Sequence, residues 1–261
     1  LSELSWDNSL PALLTAKDRV VLNVNEDTNL HIDIPVDVFG ITFNVAEGKT
    51  LTVAGNNIAA QYITVTGLGK TVVASASQLA GTVKGDGTLV YDGFKPGASA
   101  VFTHTAWTGT LWVKNIASDS AEKTDWALQN YGNAGSTLRF TNVNLYFPSG
   151  TTTFPGTVDI DGAGMNVCDG YGGSIATIAK LTGSGTFSTA GGSANGNGLT
   201  INDISGFAGT MTLTKYKVIV GTSTGTSASG VLQIDSGKTV TIADGKTWTA
   251  PGGVVLNGTL M

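Results

Sequence analysis

The sequence predicts an all-β protein built as a β-solenoid, in which short strands of successive coils stack in parallel. Two observations lead to this prediction: a composition that suits strands and turns, and a loose internal repeat. Glycine accounts for 36 of the 261 residues, and only 13% of the residues are charged. Threonine, serine, asparagine and valine fill much of the remainder. β-Branched residues pack well on pleated sheets, and glycine and asparagine supply tight turns.

The first part of the repeat consists of strand-like segments that contain a Gly-Thr turn. GDGTLVYDG (85–93) precedes WTGTLWVKN (107–115), and GSGTFSTAG (183–191) precedes FAGTMTLTK (207–215) in the same way. The Gly-Thr pairs lie 22 residues apart in the first case and 24 residues apart in the second. A period of this length, made of strands and turns with no helix between them, is typical of a β-solenoid.

A second group of segments has a Gly-Lys-Thr turn: EGKTLTVAG (47–55), GLGKTVVAS (67–75) and SGKTVTIAD (236–244). In these strands alternation directs residues such as Leu51 and Val53 inward, where they would form an apolar column. Dividing the chain length by the repeat period gives about eleven coils in a single domain spanning residues 1–261. An antiparallel β-sandwich is the alternative fold.

The N-terminal segment departs from the repeat. Leu10, Leu13 and Leu14 have helix-like spacing after a candidate N-cap at Asn8 or Ser9. Solenoids need covered ends, so residues 1–19 are predicted to form a cap.

The chain ends on a strand-like pattern and no signal-peptide pattern opens it. We therefore expect a segment of a longer, secreted bacterial protein, located outside the cell or on its surface.

Two segments are longer than a turn and are predicted to be loop insertions, at residues 118–136 and 161–174. Insertions in a solenoid tend to lie on one face, which is often the binding face.

Charge and cysteine content exclude several function classes. The formal net charge is −5, the isoelectric point is near 4.9, and the only arginines are Arg19 and Arg139. Proteins that bind nucleic acid through its phosphates need clustered basic residues, which the sequence lacks. Acidic polymers and anionic membranes are disfavoured for the same reason, whereas neutral polymers remain open. The single cysteine, Cys168, excludes an intramolecular disulfide.

Catalytic patterns are also missing. There is no Asp-Asp pair, neither histidine is flanked by glycine, and only four glutamates are available as glycosidase carboxylates. Arg139 is the one candidate for a lyase base, but no carboxylate lies within ten residues of it, so we interpret it as a surface or loop-capping arginine. An enzyme is not expected.

The sequence VDIDG (158–162) is the one candidate for part of a metal site. Alternation places Asp159 and Asp161 on one side of a strand, and Asp169 is close enough in sequence to join them. Calcium prefers several carboxylate and carbonyl oxygens, so a calcium site is one interpretation. The alternative is a hydrogen-bonded turn. No other cofactor is expected.

Tryptophans are the remaining informative residues. Trp107 aligns with Phe207 before a Gly-Thr pair, which indicates a core or corner position. Trp112 is predicted to point outward beside Lys114, where the aligned repeat has Thr212. An outward tryptophan needs either a covering loop or a ligand. Both interpretations remain open.

The paired GSGT and [WF]-x-GT segments resemble the autotransporter-associated β-strand repeats of secreted and surface β-helical proteins. The pattern is also similar to β-helical modules that gut and rumen bacteria append to plant-polysaccharide hydrolases, including xylanases. One such family of carbohydrate-binding modules has a right-handed parallel β-helix fold and recognises xylan-type chains. The resemblance implies that fold and that ligand class, and assigns no residue a role by position.

The predicted function is therefore a non-catalytic, monomeric carbohydrate-binding module that binds xylan or a related β-glycan and targets a covalently attached hydrolase. A structural stalk of a surface adhesin and a polysaccharide lyase or hydrolase are the alternatives. Aromatic rings would stack on sugars, and polar side chains would bond hydroxyls. The predicted binding residues are Trp112, Trp126 and Tyr131 for stacking, and Gln129, Asn130, Asp125 and Lys114 for hydroxyls.

Overall fold

The fold is all-β, and its strands stack in parallel as a β-solenoid. A computed structural model describes residues 2–6, 16–116, 133–147, 151–161, 165–169, 175–189, 198–214, 217–223 and 231–261. Among these residues every regular element is a strand, and the strand pairings are parallel. The predicted solenoid is confirmed, and parallel pairing excludes the antiparallel sandwich for these strands.

The chain forms two compact units. The first comprises Leu1–Lys114 with Asn130–Thr137, and the second comprises Asn115–Gln129 with Leu138–Met261. The strands of the first unit are β1 (Ser2–Trp6), β2 (Arg19–Val24), β3 (Thr28–Ile32), β4 (Val36–Val45), β5 (Thr50–Gly55), β6 (Ile58–Thr66), β7 (Lys70–Val73), β8 (Leu79–Gly85), β9 (Thr88–Asp92), β10 (Ala100–Trp107) and β11 (Thr110–Lys114).

Two parallel sheets make up the first unit. One has the order β1-β3-β5-β7-β9-β11, and the other has the order β10-β8-β6-β4-β2. In the first sheet one inward column runs in register through Leu30, Val53, Val73, Tyr91 and Val113. All five side chains are buried. Burying a valine or leucine side chain contributes about 1.5–3 kcal/mol, so the stacked columns stabilise the coils.

The second unit repeats this arrangement. Its strands are β12 (Thr137–Thr141), β13 (Val143–Phe147), β14 (Thr151–Ile160), β15 (Met165–Asp169), β16 (Ile175–Gly183), β17 (Thr186–Thr189), β18 (Gly198–Phe207), β19 (Thr210–Leu213), β20 (Lys217–Val220), β21 (Val231–Ile234), β22 (Thr239–Val240), β23 (Trp248–Thr249), β24 (Gly253–Leu256) and β25 (Thr259–Leu260). One sheet has the order β12-β14-β16-β18-β20-β21-β24, another has β13-β15-β17-β19-β23, and β22 pairs with β25. A buried column runs through Phe154, Ile178, Ile201, Val220 and Ile234.

The glycines that open the Gly-x-Gly-Thr repeats are required by the backbone. Gly85 has a φ of 109°, and Gly183 has a φ of 98°. A Cβ atom would lie 2.1 Å from the Val65 carbonyl oxygen at Gly85, and 2.1 Å from the Ile160 carbonyl oxygen at Gly183. Only glycine fits where one coil turns this closely over the preceding coil. The repeat seen in the sequence therefore marks equivalent turns in both units.

The predicted loop insertions and the predicted cap are only partly described. Within the insertion predicted at 161–174, Met165–Asp169 form strand β15, so that segment is not a loop throughout. Ser2–Trp6 already pairs in parallel with β3, so the sheet begins within the segment predicted as a cap. The helix-like leucines of that segment lie outside the described residues. The cap, the coil number of about eleven and the single-domain boundary stay predictions. Among the described residues, no helix has the length and apolarity needed to cross a membrane.

Candidate functional site

The two tryptophans of residues 107–115 have different environments. Trp107 is fully buried and packs edge-to-face against Phe102, with the ring centroids 5.5 Å apart. The prediction that Trp107 belongs to the core is confirmed. On β11, Leu111 and Val113 are fully buried, whereas Trp112 between them is half-buried. The predicted alternation is therefore confirmed, and Trp112 projects from the outward face of the sheet.

Trp112 lies in register with outward-facing residues of two neighbouring strands. It pairs in register with Val90 of β9, and Val90 pairs with Val72 of β7. Alternation places these three side chains on the same outward face. Val90 is only 2% exposed despite facing outward.

Two lysine ammonium groups flank the Trp112 ring. Lys70 Nζ and Lys114 Nζ each lie 5.2 Å from the ring centroid. Lys114 Nζ also forms an ion pair with Asp92 Oδ2 at 3.0 Å. A cation over an indole face contributes about 0.5–1 kcal/mol at an exposed site. The lysines therefore hold the ring in place and also surround it with hydrogen-bond donors.

The neighbouring row of the same face is polar. Lys70 pairs in register with Thr50 on β5 and Thr88 on β9, and Thr88 pairs with Thr110 on β11. These threonines are partly exposed, and the sheet supplies a rigid, nearly regular surface. We call the surface formed by Lys70, Asp92, Trp112 and Lys114 the Trp112 patch. It offers an aromatic ring, ammonium donors and one carboxylate, with the threonine hydroxyls of the neighbouring row beside it, which suits recognition of a polar ligand.

The other predicted binding residues lie outside the described residues. They are Asp125, Trp126, Gln129, Asn130 and Tyr131, all within the insertion at 118–136. Their part in binding stays a prediction.

The carboxylates predicted as part of a calcium site are paired with an arginine. Arg139 Nη2 lies 2.9 Å from Asp161 Oδ2, and Arg139 Nε lies 3.4 Å from Asp159 Oδ2. Asp159 Oδ1 also accepts a hydrogen bond from the Thr182 hydroxyl at 3.0 Å. The guanidinium thus supplies the positive charge that a cation would have supplied. Arg139 is the partner of these carboxylates in the stack, although none lies near it in sequence.

Asp169, the third residue proposed for calcium, is on β15, which belongs to a different sheet from β14 and its Asp159. The side chain of Asp169 is not among those described. Within the described part of the chain, no group of three or more histidine, cysteine, aspartate or glutamate side chains could hold a metal ion.

An apolar cavity of about 230 Å³ lies within the second unit. Trp248 lines it, packs against Phe207 with the centroids 6.0 Å apart, and donates from Nε1 to the Gly209 carbonyl oxygen at 3.2 Å. The other lining residues are Met211, Leu213, Leu232, Ile242, Thr249, Ala250, Val254 and Leu260. The cavity has almost no polar groups to orient a ligand, so it is a poor candidate for a specific site.

Four residues that sequence reasoning missed meet on the β10-β8-β6-β4-β2 sheet of the first unit. They are Arg19, Phe39, Tyr62 and Lys84, and we call them the cationic ridge. Arg19 Cζ lies 4.4 Å from the Phe39 ring centroid, and Lys84 Nζ lies 4.4 Å from the Tyr62 centroid. The two rings pack edge-to-face with their centroids 5.7 Å apart. The available signal was the spacing of Phe39 and Tyr62, which are one repeat period apart in the sequence.

No protein-family model, curated protein or solved structure matches this chain. The class that the structure defines is therefore an all-β, parallel β-solenoid, and its function has to be argued from its surface.

Proposed function

We propose that this protein is a non-catalytic carbohydrate-binding module that binds xylan or a related β-glycan through the Trp112 patch. The observation that supports this proposal most directly is the outward position of Trp112 among polar and charged side chains. Sugar rings have apolar faces and hydroxyl edges. An indole ring can accept the face of a sugar, and Lys70, Lys114 and Asp92 can bond the hydroxyls around it.

The regular sheet around Trp112 also favours an extended ligand. Equivalent strands repeat about every 4.8 Å along the stack, so polar groups recur in the direction in which a polysaccharide chain could lie. The proposal includes a right-handed helix of about eleven coils, export from a bacterial cell, and covalent attachment to a hydrolase that the module brings to its substrate.

The test is affinity electrophoresis of Trp112→Ala through gels with and without soluble xylan. We expect xylan to retard the wild-type protein, and the variant to lose most of this retardation, because the substitution removes the aromatic face on which the sugar ring would stack. Leu68→Ala is the matched control, since Leu68 is a large apolar side chain that is 78% exposed on the same unit. Equal retardation of all three proteins would remove Trp112 from the site.

The residues of the insertion are tested separately. Trp126→Ala and Tyr131→Ala should each weaken xylan retardation if they stack on sugars, and the same gels measure both. Gln129, Asn130 and Asp125 are expected to have smaller effects, because each would contribute hydrogen bonds exchanged with water.

A structural stalk is the competing function, and the burial of the outward residue Val90 in register beside Trp112 favours it. In a stalk the indole ring would serve only to shield the outward face of β9. In that case xylan gels would not retard the wild-type protein, and the Trp112→Ala variant would be less stable than the wild type. Retardation of the wild type by xylan would exclude a purely structural role.

A further inference from the structure

The cationic ridge arises from a local break in strand alternation. On β4, Gly40 and Ile41 are both buried, so the alternation breaks between them, directly after the partly exposed Phe39. On β6 the alternation breaks at the same level of the stack, because Gln61 is exposed and the next residue, Tyr62, which pairs in register with Gly40, is partly exposed. Because adjacent coils share the break, their aromatic rings come together outside the core. Both rings are partly exposed.

The two cations of the ridge lie over the rings and have no acidic partner among the described residues. Neither Arg19 nor Lys84 forms an ion pair with a carboxylate in the part of the chain that the structure describes. Instead, each lies 4.4 Å from a ring centroid. The rings restrict where the guanidinium and ammonium groups can go, so less conformational entropy is lost when an anion binds them.

The contacts also limit the separation of the two charges. The path from Arg19 through Phe39 and Tyr62 to Lys84 consists of three consecutive contacts. The distance between the guanidinium and the ammonium group therefore cannot exceed the sum of these three contact distances. Polar groups accompany them: Gln61 Nε2 donates to the Tyr62 hydroxyl at 3.3 Å, and Thr82 pairs in register with Tyr62.

We propose that the cationic ridge is a second binding site, specific for an acidic polysaccharide whose carboxylates repeat along the chain. The Arg19 guanidinium is suited to bidentate pairing with one carboxylate, and Lys84 supplies a point charge for another. The Gln61 amide and the Thr82 hydroxyl form hydrogen bonds with the sugar hydroxyls that lie between the two carboxylates. This site does not depend on the Trp112 patch, which lies on the other sheet of the unit.

The geometry favours an acidic glycan over a nucleic acid. Proteins that bind single-stranded nucleic acids combine a positively charged groove that tracks the backbone with aromatic rings on which successive bases stack. The ridge has two cations and two rings, and the net charge of −5 disfavours polyanions in general, so the proposed binding depends on local pairing of Arg19 and Lys84 with carboxylates. Two fixed cations are sufficient for local pairing with carboxylates.

The test is affinity electrophoresis at low ionic strength, which measures how far the protein is retarded by soluble polygalacturonic acid or by its carboxyl-reduced form in the gel. Arg19→Gln and Lys84→Gln should each weaken binding to the acidic polymer roughly threefold, and the double variant roughly tenfold, as expected for exposed charge pairs. Added salt should weaken wild-type binding, because the ridge is exposed and its charges are screened. Lys246→Gln is the matched control, since it removes one exposed positive charge from a turn of the second unit.

Three results would overturn the proposal: no retardation by the acidic polymer, equal retardation by the carboxyl-reduced polymer, or equal effects of Lys84→Gln and Lys246→Gln. Equally tight binding of a single-stranded homopolymeric DNA would overturn the assignment to glycans. The gels with neutral xylan separate this proposal from the proposed function. Retardation by xylan alone overturns the ridge site and leaves the function of the Trp112 patch standing, whereas retardation by the acidic polymer alone does the reverse.

Discussion

Replacing Thr71 with valine should increase the free energy of unfolding. Thr71 lies on β7, in register with Leu51 on β5 and Leu89 on β9, within an inward column of the first unit. Its side chain is fully buried, and its Oγ1 atom has no hydrogen-bond partner within the described part of the chain. A buried hydroxyl without a partner costs about 1–3 kcal/mol, because it has lost its bonds to water and gained none in return.

Valine has nearly the same shape as threonine and no polar atom. The substitution therefore removes the desolvation cost and adds a methyl group to an apolar column without enlarging the core. We expect Thr71→Val to stabilise the protein by about 1–3 kcal/mol. Its effect should be independent of pH, since neither residue ionises.

Urea denaturation followed by circular dichroism provides the measurement. The midpoint concentration should increase while the dependence of the unfolding free energy on urea stays unchanged. Thr200→Val is the matched control, because Thr200 is also buried but its hydroxyl donates to the Ser223 carbonyl oxygen at 3.1 Å. The control should be destabilised by about 0.5–1.5 kcal/mol. If Thr71→Val left the midpoint unchanged or lowered it, the inference from burial and missing partners would be wrong.

Two further predictions concern charged groups of the second unit. Arg139→Gln should lower the unfolding free energy by about 1 kcal/mol, because it leaves the Asp159 and Asp161 carboxylates without their shared cation. Added salt should reduce this loss of stability, and urea titrations at low and high salt measure it. The backbone amide of Ser205, together with its hydroxyl, lowers the pKa of Asp203 from its ordinary value of 3.8. Folded Asp203 thus binds protons less readily than unfolded Asp203, so its contribution is present above pH 3.8 and is lost as the pH falls through the lowered pKa. Asp203→Asn should therefore flatten the fall in stability below pH 4, and an unchanged acid profile would contradict this assignment.

Much of the solenoid could be predicted because its determinants are local in sequence. Alternation with a period of two distinguishes inward from outward residues on a strand, and this rule correctly separated Leu111 and Val113 from Trp112. Trp107 was assigned to the core from its alignment with Phe207 in the repeat. The Gly-Thr repeat marked turns such as those at Gly85 and Gly183, where a side chain would collide with the preceding coil. These properties depend on a few neighbouring residues, so a single sequence is enough to read them.

Contacts between coils could not be predicted in the same way. Arg139 had no carboxylate near it in sequence, and Asp159 was interpreted as part of a calcium site or a turn. Their pairing depends on the register between stacked strands, which shifts at bulges such as the one between Phe154 and Thr157 on β14. A displacement of one residue would direct the carboxylate to the opposite face of the sheet.

The sequence alone predicted a β-solenoid, its inward columns and the outward position of Trp112, because strand alternation and a 20–24-residue repeat indicate them, but the parallel pairing that excludes an antiparallel sandwich came from the structure. Only the tertiary structure brought Arg19 beside Phe39 and Lys84 beside Tyr62. These residues are distant in the chain and meet because successive coils stack in register. The surface chemistry of this protein therefore depends on which residues the stacked coils bring together, and overall composition and net charge do not reveal this.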